Sequence, residues 1–152
     1  MNRQPTHDDA NLILRLYELR REDKMRQARD WFGKNYHARD YEEHVQLCPP
    51  GSEPHTFMRM VTSYWDMVAS FLTNEVLDKE LFYASGQEML LCWERMRRVM
   101  PGLRDATKNP QAFANLEKAA GEFIEWTNRR APEAHAAFKA RIGCADSGAA
   151  GR

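Results

Sequence analysis

Apolar residues return every three or four positions along most of this chain, the spacing that gathers them on one side of an α-helix rather than on the alternating faces of a strand. The first stripe is Leu12, Leu16 and Leu19 with Ile13 beside it. Its helix is predicted to begin at Asp8 or Asp9, either of which can accept backbone amides as an N-cap. The next stripe, Met25, Ala28 and Phe32, is out of phase with the first by about 150° at roughly 100° per residue. One straight helix cannot serve both, so two abutting helices are predicted, at about 9–22 and 24–35, with Asp23 capping the second. On their polar side Glu22–Arg26, Arg26–Asp30 and Asp30–Lys34 stand four residues apart with opposite charge, as on a solvated face.

A short helix is predicted from Asp40 to Gln46, stopped by Cys48-Pro49-Pro50-Gly51 because proline lacks an amide donor and restricts the residue before it. Ser52 then reads as an N-cap with Pro54 in the first turn. It opens the most strongly patterned element, a helix over 53–74 that aligns Phe57, Val61, Tyr64, Trp65, Val68, Phe71 and Leu72, with Met58, Met60 and Met67 at its edges. Asp78 caps a brief turn through Phe82. Ser85-Gly86-Gln87-Glu88 has the spacing of a capping box and introduces Met89, Trp93, Met96 and Met100, a helix that Pro101-Gly102 is expected to close. Asn109-Pro110 reads as the cap and first residue of a second long helix, 110–129, carrying Phe113, Leu116, Ala120, Phe123, Ile124 and Thr127. A last short helix, about 132–142, bears His135, Phe138 and Ile142 and is expected to fold back as a hairpin arm.

The fold class that follows is all-α: a compact orthogonal or up-down bundle of about five to seven helices in which the 53–74 and 110–129 helices pack together. One domain is expected over residues 8–142, with residues 1–7 and 143–152 disordered, because both ends lack apolar periodicity to offset the entropy of ordering. The length of 152 residues suits a single domain.

Composition narrows the functional classes. Lys plus Arg number 22 against 22 Asp plus Glu, and the two signs are mixed along the chain, so the clustered positive surface that nucleic acid demands is not expected. No run of about 18 apolar residues suggests a membrane span, and the N-terminus lacks a secretory signal. Cys48, Cys92 and Cys144 form no C-x-x-C pair. A cytoplasmic location is the expectation.

Three stretches, Leu16-Tyr17-Glu18-Leu19-Arg20-Arg21, Lys24-Met25-Arg26-Gln27-Ala28-Arg29-Asp30-Trp31-Phe32 and Ser63-Tyr64-Trp65-Asp66-Met67, together resemble small bacterial all-helical proteins of the domain-of-unknown-function class. The resemblance covers about residues 10–105. It implies a bacterial origin and a helical fold, and it carries over no catalytic residue and no cofactor.

Chemistry-bearing residues are few. His37, Asp40 and His44, with Cys48 four residues on, are the one cluster with metal-like composition, but they follow none of the familiar zinc spacings, and solvated surface histidines are the expected reading. No catalytic residue or metal ligand is assigned. Arg59 and Asp66 project from the side of the 53–74 helix away from its apolar stripe, among Thr62, Ser63, Ser70 and Thr73, a side small enough to face another helix; they mark either a polar pocket or a solvated face or structural ion pair. Arg95, Arg97, Arg98 and Arg104 with Arg129 and Arg130 could form a basic patch. Trp126 beside Arg129 and Arg130 has the residue types of a binding hot spot, against which stands an intramolecular role covering the arm around Phe138. The function expected is a non-enzymatic helical interaction or regulatory module, self-associating or bound to a protein partner. The alternatives are a small-ligand sensor with a cavity lined by Met58, Met60, Met67 or Met96, and an enzyme with a polar pocket near Asp66.

Overall fold

In a computed structural model, which describes residues 3–146, the chain forms nine helices: α1 (His7–Arg20), α2 (Asp23–Asn35), α3 (Tyr41–Leu47), α4 (Glu53–Thr73), α5 (Lys79–Tyr83), α6 (Glu88–Met96), α7 (Met100–Ala106), α8 (Ala114–Arg130) and α9 (Ala134–Arg141). The described residues contain no strand. The count exceeds the five to seven expected because short helices at the turns, α5 and α7 among them, separate from the longer ones.

The architecture is organised by α4, which packs against α2 on one flank and α8 on the other. Ser52 caps it through the His55 amide, as its sequence requires. Val61, Trp65, Val68, Ala69 and Leu72 are fully enclosed, and they join Phe32 and Ala28 of α2 and Leu116, Ala120 and Phe123 of α8 in one core. Phe57 and Phe71 lie at its rim, half-buried. Each enclosed aliphatic or aromatic side chain contributes about 1.5–3 kcal/mol, so this shared core is the main source of stability. The tyrosine hydroxyl of Tyr64 reaches the Leu16 carbonyl at 2.7 Å and fastens α1 to α4.

Several helix limits differ from their sequence patterns, each for a local reason. Thr6, not Asp8 or Asp9, caps α1. Its hydroxyl accepts from the Asp9 amide while Asp9 reaches back to the Thr6 amide, and Asp9 also binds the Arg3 guanidinium and the Asp78 amide. The break between α1 and α2 stands where the phase slip required it, but Glu22 is the cap and accepts from Lys24 and Met25. Ser85 does not form a capping box, because the Glu88 carboxylate is drawn to Arg20 and Arg29 instead.

Pro101-Gly102 lies inside the first turn of α7 rather than ending α6, for a proline there loses no hydrogen bond. Gly102 lets α7 approach α3: a Cβ at that position would meet the Tyr41 Cβ at 2.4 Å. Asn109-Pro110 does not start α8. Asn109 accepts from the Gln111 amide in a turn, Lys108 and Phe113 adopt left-handed backbone at φ 55° and 57°, and the helix begins only at Ala114. At the C-terminal end, Cys144 donates its amide to the Lys139 carbonyl. The tail expected from residue 143 lies outside the described residues from 147 onward.

Candidate interaction surface

The residues singled out by sequence are placed in separate structural roles. Asp66 faces α8, where its Oδ1 accepts the Leu116 amide at 3.1 Å rather than pairing with a cation or standing in solvent. That amide belongs to the first turn of a helix whose own cap position, Phe113, offers no side-chain acceptor, so Asp66 caps α8 from a neighbouring helix. Burial pushes the Asp66 carboxyl up, and the Leu116 bond opposes this in part. Thr73 adds a second tie by donating to Asn115 Oδ1 at 2.7 Å. Arg59 is exposed, and the two residues do not converge on a pocket.

Trp126 is half-buried against Tyr83 and Phe123, and its indole N–H donates to Glu80 Oε1 at 3.2 Å. Arg130 covers its outer face at 4.5 Å. The indole therefore seals α8 against α5 rather than covering Phe138, while Arg129 and Arg130 remain exposed.

The arginines expected to form a patch disperse. Arg95 is buried and donates to the carbonyls of Phe32, Gly33, Tyr36 and Ile142. Arg97 pairs with Glu94, Arg104 binds Glu117 and the Ala112 carbonyl, and Arg98 is exposed. Glu94, itself enclosed, also meets His135 Nε2 at 3.0 Å and fixes α9 to α6.

His37, Asp40 and His44 likewise part company. Asp40 caps α3, and His37 is exposed. His44 is buried, stacked on Tyr41, with its Nδ1 hydrogen-bonded to the Tyr36 hydroxyl at 2.8 Å. Burial lowers the His44 pKa and holds the ring neutral, and it pushes the Cys48 thiol up to about 11. The raised thiol disfavours the thiolate that binds metal, and among the described residues no three His, Cys, Asp or Glu side chains gather around a common point.

The arrangement that sequence reasoning missed lies where α1, α2, α4 and α6 meet. Glu88 accepts from Arg29 Nε and Nη2 at 2.7 and 2.9 Å and from Arg20 Nη1 at 3.1 Å. Arg29 also donates to the Arg20 carbonyl, closing the end of α1. The Arg20 guanidinium stands 5.3 Å from the Trp65 ring centre and 5.4 Å from that of Tyr17, within cation–π range. The Arg21 guanidinium also stands 5.5 Å from the Tyr17 ring centre. The nearest sequence signal was Glu88 itself, whose spacing from Ser85 suggested local capping and concealed a partner 68 residues away.

This node fixes α1 from beneath and leaves its opposite side open. Leu16 is buried, whereas Leu14 is 59% exposed and Tyr17 48% exposed on the outward side, with Leu19 at its border. Ala10, Leu14, Tyr17 and Arg21 fall within one stripe at helical spacing. A tyrosine ring flanked by two arginines has the residue types enriched at the centre of binding surfaces, and the exposed Leu14 adds apolar area beside it. The flanking open groove of about 680 Å³ is lined by the charged and polar residues Asp23, Arg26, Gln27, Arg29, Asp30 and Glu88.

Comparison with known proteins adds one finding. A family model, the domain of unknown function DUF4760, matches residues 5–126, and the chain belongs to that family. The match takes in α1 through most of α8 and stops before α9. No curated protein and no solved structure matches the chain. Among the described residues, no helix is long and apolar enough to cross a membrane.

Proposed function

We propose that this DUF4760 member is a non-enzymatic helical interaction module that pairs with a second copy of itself through the outward side of α1. The observation that carries the reading is the exposure of Leu14 and Tyr17 on a helix whose inner side is already anchored by Leu16 and the Arg20–Glu88 pair. An anchored ring loses little conformational entropy on contact, which is where preorganised surfaces gain affinity.

The helix dipole favours a copy of the same helix as the occupant: antiparallel pairing of the 14-residue α1 about a two-fold axis near Leu14 sets each N-terminal end beside the other's C-terminal end, with the dipoles opposed. The three cysteines are free and buried, in keeping with a reducing, cytoplasmic setting. A 14-residue helix spans about 21 Å and, at a diameter of about 10 Å, offers a face of about 200 Å², well under the roughly 800 Å² per partner of a standard interface, so the association is expected to be weak and concentration-dependent.

Sedimentation equilibrium from micromolar to millimolar protein tests this. Wild type should pass from monomer to dimer over that range. Leu14→Glu, which alters an exposed site and should leave the helical circular dichroism unchanged, should raise Kd by about tenfold or more, since burying a leucine is worth about 1.5–3 kcal/mol. A wild type that stays monomeric at millimolar concentration, or a dimer indifferent to Leu14→Glu, would refute the proposal.

A further inference from the structure

The arm formed by residues 131–146 is seated differently from the helices that build the core. Ala131 is extended at φ −148° and ψ 84° and precedes Pro132, a pairing that keeps α8 from running on into α9. Phe138 enters the core and Ile142 packs at its edge, but the rest of the seat is charged. Glu94, Arg95, His135 and Lys139 are four of the seven polar or charged residues buried among those described. The family model ends at residue 126, before the arm begins.

Among the described residues, two side-chain hydrogen bonds cross from the arm to the body: His135 Nε2 with Glu94 Oε1 at 3.0 Å, and Arg95 Nε to the Ile142 carbonyl at 3.2 Å. Each charged residue at the seat also has a partner on its own side. Glu94 Oε2 accepts from Arg97, Arg95 Nη1 reaches the carbonyls of Phe32, Gly33 and Tyr36, and Lys139 donates to Asp146 at 2.9 Å within the arm. Lifting the arm therefore strands no charge, and renewed hydration of Glu94 and His135 offsets much of what their contact supplied. Opening α4 has no such compensation, because Val61, Val68, Ala69 and Leu72 would meet water.

We propose that residues 131–146 form a releasable arm that opens as one unit about Ala131-Pro132 while α1–α8 stay folded, uncovering Glu94 and Arg95 on α6. Hydrogen exchange of the full chain in rising urea reads this motion, at a protein concentration low enough that pairing through α1 does not enter. The amides of Ala137, Ile142 and Cys144 all bond within the arm. They should share one opening constant, exchange about tenfold or more faster than Val68 and Ala69 of α4, and respond weakly to urea. Maleimide labelling of Cys144, a free and buried thiol outside the core cluster, should follow the same constant. Val68→Ala should speed exchange in α4 by about tenfold or more and leave the arm's constant unchanged, since the closed and open states share the weakened core. Arm amides with the rate and urea dependence of Val68 would overturn the assignment by making the arm part of the core. Protection that declines stepwise from Ala137 to Cys144 would overturn it equally, as the mark of a frayed end.

Discussion

Replacing Arg95 with methionine should be among the most damaging single changes in the protein. The residue is 7% exposed and has no carboxylate partner among its hydrogen bonds. Its Nη1 lies 3.0, 3.2 and 3.3 Å from the carbonyl oxygens of Gly33, Tyr36 and Phe32, and its Nε donates to Ile142 at 3.2 Å. The first three carbonyls lie at the C-terminal end of α2, where the last turn runs out of amides to satisfy them, although Phe32 also accepts the Tyr36 amide, and a cation there complements the helix dipole. Nη1 has two hydrogens to share among three acceptors, so the count is nearer three full bonds than four. Bonds to a charged donor contribute about 1.5–3 kcal/mol each. Against this stands the desolvation of the guanidinium, which methionine avoids, while the abandoned carbonyls remain buried. A net loss of about 3–5 kcal/mol follows, the range seen when one member of a buried charged contact is removed. At about 2–4 °C per kcal/mol for a chain of this size, Tm should fall by roughly 6–20 °C. Urea titration followed by circular dichroism measures the loss, and hydrogen exchange should locate it at the end of α2 and at α9. Arg95→Lys, which keeps the charge and loses the fork, should lie between. A methionine variant within about 1 kcal/mol of wild type would show that the carbonyls find water or each other's amides with ease, and the assignment of Arg95 as the tie between α2, α6 and α9 would fail.

Three further outcomes can be checked by similar means. His44 is held neutral in the folded chain, so below the unfolded pKa of about 6.5 the unfolded chain takes up a proton that the folded one resists, and stability should decline as pH falls from about 6.5; His44→Gln should flatten that part of a Tm-against-pH curve, and an unchanged slope would count against it. Asp66→Ala should lower stability by about 0.5–2 kcal/mol through loss of the α8 cap, whereas Asp66→Asn, which keeps an oxygen acceptor and relieves the burial that raises the carboxyl pKa, should stay close to wild type in thermal melts. Gly102→Ala should destabilise by about 1–3 kcal/mol despite the better helix propensity of alanine, since its Cβ meets Tyr41 Cβ at 2.4 Å; a stabilised variant in urea titration would mean that α3 and α7 separate freely.

The all-helical class and the central position of α4 were legible because one-dimensional spacing reports directly on burial: Val61, Trp65, Val68 and Leu72 share a stripe in sequence and a core in space. What escaped were limits and contacts decided between elements. Asn109-Pro110 has the residue types of a helix start, yet the left-handed Lys108 and Phe113 delay α8 until Ala114, where Asp66 from α4 supplies the acceptor. Nothing local to residues 109–114 encodes that carboxylate. Ser85-x-x-Glu88 failed for the same reason in reverse, because two guanidinium groups from α1 and α2 outcompete a backbone amide for Glu88.

Those two carboxylates also separate stability from function in this fold. Asp66, the acid singled out as a possible site, is occupied by a helix end, so its polarity is explained without a ligand. Glu88 satisfies three donors and still leaves Arg20 Nε and the indole of Trp65 without acceptors, while the ring of Tyr17, stacked from the same guanidinium, stands in solvent. The apolar surface on the outer side of α1 therefore makes this helix, rather than the residues around Asp66 or Trp126, the place where binding should be sought first.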